Sequence, residues 1–271
     1  MNTRRAPLAT AGLLVALGAL LAPLAFALAG SLQPEAQLFA GGAGSERDWT
    51  LEHYRALFAE PALLRAVRNS LIVAAATTLL CVTLGSLCAY ALARLRFPGR
   101  TLLLAFVLAV SMFPQISIVP PLYLMLRALG LLDTYPGLVL PYLTFAMPLT
   151  IWLLLGFFRQ LPPELEEAAL VDGAGRLRVL LEVVAPLAAP ALATTSVLTF
   201  IHCWNEFLFA LSFTLEHQTV PVAIALLRGQ YRVPWGQVLA AAIVTTAPVA
   251  VLVLSFQRQL VQGLVSGAVK G

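Results

Sequence analysis

The acidic residues of one loop are the first candidates for chemistry in this sequence. Glu164, Glu166 and Glu167 follow two prolines, and Asp172-Gly173 comes five residues after the last glutamate. Prolines favour the first turn of a helix, where carboxylates interact well with the positive end of the helix dipole. An Asp-Gly pair is a turn signal. The pattern predicts a short helix, a turn, and a second helix that leads into the next apolar stretch.

The surface of this short helix suits contact with another protein. Ala168 and Ala169 leave one side of the helix nearly flat, so that the backbone of a partner can approach closely. Glu167 and Asp172 supply polar groups at the edge of that surface. The residues alone support two interpretations, a docking element for a partner or an amphipathic helix that lies on a membrane surface.

A second candidate is Glu206, the acidic residue that lies well inside an apolar stretch. Ionisable groups in such segments are costly and often functional. Glu206 could carry protons in a secondary transporter, or it could lie near the outer mouth of a path within reach of water. The neighbouring sequence offers no partner charge, which favours the second interpretation. His202, one turn earlier, is expected to be a packing residue.

Catalytic signatures do not accompany these residues. The sequence contains neither HExxH nor GxSxG, and its glycine-rich end at 263–270 lacks the spacing of a GxxxxGK[ST] phosphate loop. The three cysteines, Cys81, Cys88 and Cys203, lie in apolar stretches without metal-ligand spacing, and we expect them to be small buried residues. We therefore expect neither an enzyme nor a metal site.

The elements that carry these residues are predicted to span a membrane. The chain of 271 residues is 60% hydrophobic and 11% charged, with a mean hydropathy of +0.87. A soluble domain carries about 25% charged residues, so this chain has too little polar surface to fold in water. Its 17 basic residues are scattered between apolar stretches, which is typical of loops that orient membrane helices and argues against nucleic-acid binding.

Six apolar stretches are long enough to cross the hydrocarbon core as helices, which takes roughly 20 residues each. The first exceeds the apolar length of a cleaved signal peptide, so we expect it to be retained. Prolines inside several stretches indicate kinked helices around an internal path, or they reflect only that proline is common in membrane helices. The six stretches are Ala6–Ala29, Asn69–Ala93, Thr101–Leu126, Leu138–Phe158, Pro186–Phe213 and Gln237–Phe256.

Basic residues favour an orientation with both termini in the cytoplasm. In that orientation the inner segments carry ten of the 17 basic residues, and three of the ten are concentrated in one turn at Arg94–Arg100. The predicted division is an N-terminal helix at 1–30, an outer segment at 31–68, a five-helix core at 69–258 and an inner tail at 259–271. Trp49–Tyr54 in the outer segment is expected to form a short interfacial helix, since aromatic residues suit the headgroup boundary.

The acidic loop, residues 162–186, resembles the EAA loop of ABC-importer permeases. Glu167-Ala168-Ala169, then Asp172-Gly173-Ala174, and Pro186 twelve residues later agree with that motif in type and spacing. Leu177 and Ala185 depart from it, because many relatives have an aromatic residue and a leucine there. The resemblance implies a coupling helix that sits in a groove of a nucleotide-binding subunit. Its contact residues would be Glu167, Ala168, Ala169, Asp172, Gly173, Ala174, Leu177 and Pro186.

Other strings extend the resemblance to MalG-type carbohydrate permeases, most closely to their trehalose/maltose branch. Among them are Asn69-Ser70-Leu71, Ala89–Arg94, Phe113-Pro114, Gly130–Gly137 and Trp204–Phe207. The resemblance implies an all-α integral membrane protein with six transmembrane helices, in the type I ABC importer permease (MetI-like) fold. It places the chain in the inner membrane of a prokaryote.

The same resemblance implies partners. These are a second homologous permease, two nucleotide-binding ATPase subunits that use ATP and magnesium, and an extracytoplasmic sugar-binding protein; no cofactor binds to this chain itself. The expected path residues for a sugar are Gln115, Tyr123, Trp204, Asn205 and Glu206, with Tyr142 and Trp152 as further aromatic candidates. The outer loop at 216–235 is expected to reach the binding protein through Val220, Pro221, Gly229, Gln230 and Tyr231.

The expected function is a permease subunit that forms, with a second permease, the path of a sugar such as trehalose or maltose. Three alternatives remain at this point. The chain could import another solute such as glycerol-3-phosphate through the same kind of ABC assembly. It could be a proton-coupled carrier that uses Glu206, or a membrane scaffold that moves nothing.

Overall fold

A computed structural model describes residues 6–38, 48–227 and 233–268, and every regular element in those ranges is helical. The first seven helices are α1 Ala6–Ser31, α2 Glu52–Ala59, α3 Pro61–Arg94, α4 Arg100–Ser111, α5 Gln115–Ala128, α6 Tyr135–Phe158 and α7 Glu164–Val171. They are followed by α8 Arg176–Val179, a wider π-helical turn at Leu180–Val184, α9 Ala185–Leu187, α10 Ala189–Trp204, α11 Leu208–Phe213, α12 Val220–Leu226, α13 Trp235–Ser255 and α14 Gln257–Ala268.

The lengths of these helices agree with the six predicted spans. Among the described residues, α1 (from Thr10), α3, α6 and α13 are each long and apolar enough to cross a membrane, and two bent pairs bring the number to six if each pair is one span. One pair is α4 with α5, bent by 94°. The other is the segment Arg176–Leu187 with α10, bent by 84°.

Two of the predicted spans are not continuous helices, which corrects the expectation. The stretch Thr101–Leu126 is interrupted at Met112–Pro114, because proline has no N–H to continue the helix and disfavours a helical residue before it. In the stretch Pro186–Phe213, α10 begins only at Ala189, and residues 205–207 separate it from α11. The prolines predicted kinks, but the first break is nearly a right angle.

The chain divides into two compact units, of which the first comprises residues 1–64 and 223–247. Its core joins Leu57 and Leu63 to Ala240 and Ala241 of α13. The carboxylate of Glu35 accepts hydrogen bonds from the first two N–H groups of α13, at 2.9 and 3.0 Å, where the helix dipole favours an anion. Where an interfacial helix was predicted at Trp49–Tyr54, the structure has a short helix, α2, which begins at Glu52 and continues to Ala59.

The second unit comprises residues 65–222 and 248–271, and in it α10 packs against both α6 and α14. The buried hydroxyls of Thr150 on α6 and Thr199 on α10 share a hydrogen bond of 2.9 Å. Such polar contacts and small residues are how membrane helices associate, since lipid provides no hydrophobic force between them. On the other side of α10, Thr194 donates to the carbonyl of Gln259, 3.0 Å away. The segment predicted as a C-terminal tail is therefore helical as far as Ala268 and packed in its first turns.

The cysteines occupy the kind of place that the sequence predicted. Cys81 and Cys203 are buried and Cys88 is half-buried, and all three are free thiols. Cys88 packs against the main hydrophobic core, which suits a small apolar residue.

Candidate functional site

The loop between α6 and α10 begins with a tight entry into α7. Pro163 precedes the helix, and its carbonyl accepts hydrogen bonds from the N–H groups of Glu166 and Glu167, each at 3.0 Å. Glu164, Glu166 and Glu167 all lie in the first turn, where negative charge is favourable. The short helix predicted from the sequence is present, with the predicted start.

The end of α7 is a Schellman motif built around Gly173. The N–H of Gly173 donates to the carbonyl of Leu170 at 3.1 Å, and the N–H of Ala174 donates to the carbonyl of Ala169 at 3.0 Å. Gly173 has φ +86°, a left-handed conformation that costs a residue with a side chain about 1–2 kcal/mol. A Cβ at Gly173 would meet no atom within 4 Å. The backbone conformation, and not a lack of space, therefore requires glycine here.

A nearly buried ion pair ties α7 to the end of α3. Arg94 Nε donates to Glu166 Oε1 at 2.6 Å, and the Tyr90 hydroxyl donates to Glu166 Oε2 at 3.2 Å. Arg94 Nη2 also donates to the carbonyl of Leu161 at 2.8 Å. The side chains of Arg94 and Glu166 are only 13% and 6% exposed. These contacts fix the first turn of the loop to a membrane helix.

Sequence reasoning missed this anchor. Tyr90 and Arg94 are four residues apart, so they share one face at the end of α3, which is a readable signal for a common partner. Three glutamates crowd the first turn of α7, however, and the sequence does not tell which one turns inwards. The structure buries Glu166 and leaves Glu167 exposed.

The inner side of the loop belongs to the main hydrophobic core of the second unit. Val179, Leu180 and Val184 are buried there together with side chains of α3 and α6. Ala169, Leu170 and Ala174, which flank the turn at Gly173, pack against the same core. Because both arms of the loop are packed, the turn is held as a rigid element of the core.

The outer side of the loop carries most of the predicted coupling residues. Glu167, Ala168, Asp172, Gly173, Leu177 and Pro186 are exposed, whereas Ala169 and Ala174 are half-buried. Sequence reasoning missed three further apolar residues, Leu165, Val171 and Leu181, which are 46%, 87% and 61% exposed. With Leu177 they give this segment four exposed large apolar side chains, called the docking surface below. Contiguous exposed apolar patches with a polar rim are typical of protein–protein or membrane interaction sites.

The first three predicted path residues have different environments. Gln115 is the first residue of α5 and half-buried, and Tyr123 in the same helix is 39% exposed. Trp204 at the end of α10 is only 5% exposed, because its ring stacks on Phe200 with centroids 5.8 Å apart. This chain therefore covers most of the Trp204 indole with its own side chains.

Asn205 and Glu206 occupy the break between α10 and α11. The exposed Asn205 amide donates back to the carbonyl of Ile201 at 2.9 Å. The Glu206 carboxylate accepts hydrogen bonds from the N–H groups of Phe209 at 2.8 Å and Ala210 at 3.2 Å. Those groups are among the first N–H donors of α11, which otherwise lack partners within the helix. Glu206 thus acts as the anchor that starts α11 after the break.

A cavity of about 380 Å³ lies beside the break between α4 and α5 and is called the α5 cavity below. Two residues considered from the sequence, Gln115 and Trp152, line it together. His202, which the sequence suggested to be a packing residue, is instead exposed and lines the same cavity. The complete lining is Leu108, Ser111, Phe113, Gln115, Phe145, Pro148, Leu149, Trp152 and His202.

The segment predicted as an exposed outer loop is partly a packed helix, which corrects that expectation. Val220 and Val222 in α12 are 2% and 1% exposed, and Pro221 is half-buried. The N–H of Val220 donates to the Ser70 hydroxyl at 2.8 Å, and the amide of Asn69 donates to the carbonyl of Gln218 at 3.1 Å. These bonds to α3 hold the start of α12 against the core. The predicted contacts Gly229, Gln230 and Tyr231 lie outside the described residues.

Asp133, in the turn before α6, holds the chain that leads to α12. Its carboxylate accepts hydrogen bonds from the N–H groups of Leu215, Glu216 and His217 and contacts the His217 ring at 3.3 Å. Partial burial alone would raise the pKa of Asp133, but these hydrogen bonds together outweigh it, and the pKa is lowered from its usual value. The charged carboxylate is therefore the form that holds this turn.

The sequence of this chain is similar to a known protein family and to several permeases. Residues 81–266 match the family described as binding-protein-dependent transport system inner membrane component. The chain is 45% identical over 238 residues to the trehalose/maltose transport system permease protein MalG of Thermococcus litoralis, with 86% of each chain covered. It is 49% identical over 226 residues to the trehalose transport system permease protein SugB of Mycobacterium tuberculosis, with 82% of each covered.

A more distant relative and a solved structure extend the comparison. The sulfoquinovosyl glycerol transport system permease protein SmoH of Agrobacterium fabrum is 41% identical, over 82% of this chain and 79% of its own. A chain of a bacterial ABC transporter involved in the import of the acidic polysaccharide alginate superimposes with a TM-score of 0.74. That superposition covers 95% of this chain and 98% of the other at 23% identity, so it establishes the fold.

Proposed function

Because the chain belongs to the family of binding-protein-dependent transport system inner membrane components, we propose that its loop at 162–186 is where a partner ATPase drives sugar import. The observation that carries this proposal is the two-sided construction of the loop. Its inner side is packed into the core and anchored by the ion pair between Arg94 and Glu166, while its outer side exposes the docking surface. A loop that is rigid towards its own chain and apolar towards the outside can transmit the movement of a bound partner.

The polar residues of the loop complete the contact. Glu167 and Asp172 are exposed at either end of α7 and offer hydrogen bonds to a partner groove. Gly173 ends α7 in a tight turn, and α8 begins three residues later at Arg176. We assign the coupling role to Glu167, Ala168, Asp172, Gly173 and Leu177, with Leu165 and Val171 as added apolar contacts.

The cargo is a neutral sugar, with trehalose and maltose as the first candidates. This part of the proposal rests on the relatives named for trehalose and for trehalose/maltose at 49% and 45% identity. The relative named for sulfoquinovosyl glycerol transport is nearly as similar, so a panel of sugars is needed to identify the cargo.

The assembly proposed around this chain has four kinds of subunit. A second permease completes the path, two ATPase subunits bind ATP and magnesium at the cytoplasmic side, and an extracytoplasmic binding protein delivers the sugar. Both termini and the loop at 162–186 lie in the cytoplasm, which agrees with the concentration of arginines around Arg94–Arg100. ATP binding closes the two ATPase subunits, which pull on the coupling loops and shift the permease pair from its inward-facing to its outward-facing state. ATP hydrolysis returns the pair to the inward-facing state.

Reconstitution tests the proposal. The chain is co-expressed with the second permease and the ATPase of its own assembly, purified as a complex and placed in proteoliposomes with the binding protein. Trehalose, maltose and glycerol-3-phosphate are then compared for uptake and for stimulation of ATP hydrolysis. We expect ATP-dependent uptake of one of the sugars. Uptake of glycerol-3-phosphate alone, or sugar uptake that needs no ATP, would contradict the proposal.

A further inference from the structure

We propose that the α5 cavity is a binding subsite for one pyranose ring of the transported sugar, held on this chain itself. The proposal deepens the function given above and rests on it. It assigns to the cavity the stacking of a sugar ring on Trp152 and hydrogen bonds from its hydroxyls to Gln115 and His202.

The position of the cavity along the membrane helices is the first argument. Phe145, Pro148 and Trp152 belong to the central and following turns of α6, whose 24 residues extend over roughly 36 Å. The hydrocarbon core of a bilayer is about 30 Å thick, so these turns lie within it. A solute that crosses the membrane beside α6 must pass this level.

The broken helix beside the cavity is the second argument. The chain bends by 94° between α4 and α5, and Met112 and Phe113 at the bend are 84% and 56% exposed. Irregular backbone at membrane depth is stable only where protein covers it or where it lines a water-filled cavity. Ser111, Phe113 and Gln115 on either side of the bend all line the α5 cavity. The bend therefore favours a wet cavity at this point, and a second permease would enclose it further.

The lining itself is the third argument. Small-molecule sites combine mostly apolar and aromatic walls with a few polar groups, in volumes of about 300–1,000 Å³. The cavity holds about 380 Å³ and is lined by Trp152, Gln115, His202 and Ser111 among apolar residues. Trp152 is 56% exposed, so its apolar indole face is free to lie against the C–H face of a pyranose.

The polar side chains that line the α5 cavity have hydrogen-bonding groups available for a ligand. Within the part of the chain that the structure describes, the side chains of Gln115 and His202 make no hydrogen bond, and Ser111 uses its hydrogen on the carbonyl of Leu108. Gln115 offers both a donor and an acceptor to a sugar hydroxyl, which suits a neutral polyol. The lining contains no arginine or lysine, so a phosphate ester would find no fixed positive charge there.

Thiol labelling in the assembled transporter tests this subsite. Cys81, Cys88 and Cys203 are replaced by alanine, and Gln115→Cys is introduced into that background. A charged, membrane-impermeant methanethiosulfonate reagent is applied from each side of the membrane, with and without millimolar trehalose, and mannitol of equal osmolarity serves as control. We expect labelling of the Gln115→Cys variant, slowed severalfold by trehalose and not by mannitol. Trp49→Cys in the outer segment should be labelled at the same rate with either solute.

The aromatic wall is tested in the same preparation. Trp152→Leu added to Gln115→Cys should abolish the protection by trehalose, while Trp152→Phe should keep most of it, because phenylalanine still offers a ring face. ATP-driven trehalose uptake by the cysteine-free transporter is measured in parallel. Normal uptake with no labelling, or with labelling that trehalose does not slow, overturns the subsite and leaves the proposed function standing. Absence of ATP-driven uptake with every sugar tested overturns the proposed function and the subsite with it.

Discussion

The ion pair between Arg94 and Glu166 positions the loop more than it stabilises the chain. The two side chains are 13% and 6% exposed, so both charges have lost most of their water. Replacing such a pair by apolar residues of similar size is often neutral, whereas removing one partner leaves an unpaired buried charge and costs about 3–5 kcal/mol. The neighbouring pair between Arg178 and Glu182 is 67% and 60% exposed and contributes little.

This asymmetry gives a prediction for Arg94→Met. The variant should insert into the membrane but lose sugar-stimulated ATP hydrolysis, because α7 is displaced to bring the Glu166 carboxylate to water. The double variant Arg94→Met with Glu166→Met should recover most of the coupling. Co-purification of the ATPase and ATP hydrolysis in proteoliposomes measure both. Arg178→Ala is the matched control and should behave as wild type; full coupling in the Arg94→Met variant would show that the pair does not hold the loop.

Gly173 and Gly175 form a natural pair for testing the turn. Gly173 has φ +86°, Gly175 has φ −71°, and an added Cβ would meet no atom within 4 Å at either position. Gly173→Val should therefore lose about 1–2 kcal/mol at the turn and reduce transport, while Gly173→Asn should keep more activity, since asparagine tolerates the left-handed region. Gly175→Ala should be close to neutral. Equal transport by Gly173→Val and Gly175→Ala would refute the role of the turn.

The hydrogen bonds to Asp133 predict that its contribution to stability depends on pH. Its folded pKa is lowered, so the hold of its carboxylate on Leu215–His217 is complete at neutral pH and is lost as the pH falls below the ordinary value of 3.8. Asp133→Asn should lower the thermal unfolding temperature at neutral pH, and the difference from wild type should shrink as the solution is acidified through that range. A difference that stays constant down to the lowest pH would mean that the charge is not what holds the turn.

At the scale of helices, sequence periodicity and proline placement predicted most of the elements but not their angles. The apolar stretches located α1, α3, α6 and α13 because lipid demands long helical segments. The right-angle break at Pro114 was not predictable, since Pro141 and Pro148 lie inside α6 without ending it. Whether a proline kinks or ends a helix depends on what the neighbouring helices offer to the freed carbonyls.

The contact between α10 and α14 could not be predicted from the sequence either, because it depends on a single glycine, Gly263. A Cβ at Gly263 would overlap the side chain of Thr194, which already donates to Gln259 on the same helix. From the sequence, the glycine-rich end of the chain could be said only to lack the spacing of a phosphate loop. In the structure, Gly263 allows two helices to approach closely, as small residues do in membranes.

This contact predicts a loss of stability for Gly263→Ala. Inserting a methyl group into a packed contact costs about 1–3 kcal/mol, and here it would push α14 away from α10. Thermal unfolding of the purified complex in detergent measures the effect. Gly156→Ala on α6 is the control, because its Cβ would meet no atom within 4 Å and alanine favours a helix interior. An unchanged unfolding temperature for Gly263→Ala would mean that the two helices separate easily.

For the whole molecule, composition settled the class and resemblance settled the family. A chain of this length with 60% hydrophobic and 11% charged residues has too little polar surface to fold in water, so its composition predicted a multi-span membrane protein. The role proposed for the loop at 162–186 could not be inferred from physical properties alone, because an acidic amphipathic helix fits either a partner or a membrane surface. The anchor of its first turn is Arg94, which lies 72 residues before Glu166 and could not be paired with it from the sequence.

Variants of Glu206 can show whether the whole assembly uses ATP or a proton gradient as the energy source of transport. Its carboxylate is engaged by the N–H groups of Phe209 and Ala210, which gives it a structural role at the start of α11. The two N–H groups bond different carboxylate oxygens, so Glu206→Gln keeps an acceptor for only one of these bonds, and it cannot release a proton. We therefore expect the Glu206→Gln transporter to retain ATP-driven sugar uptake, whereas Glu206→Ala, which leaves both N–H groups without the carboxylate, should be less stable. Uptake is measured in proteoliposomes with ATP and, separately, with a pH gradient alone. If a pH gradient drives uptake by the wild type and Glu206→Gln abolishes it, the chain is a proton-coupled carrier and the ATPase is not its motor.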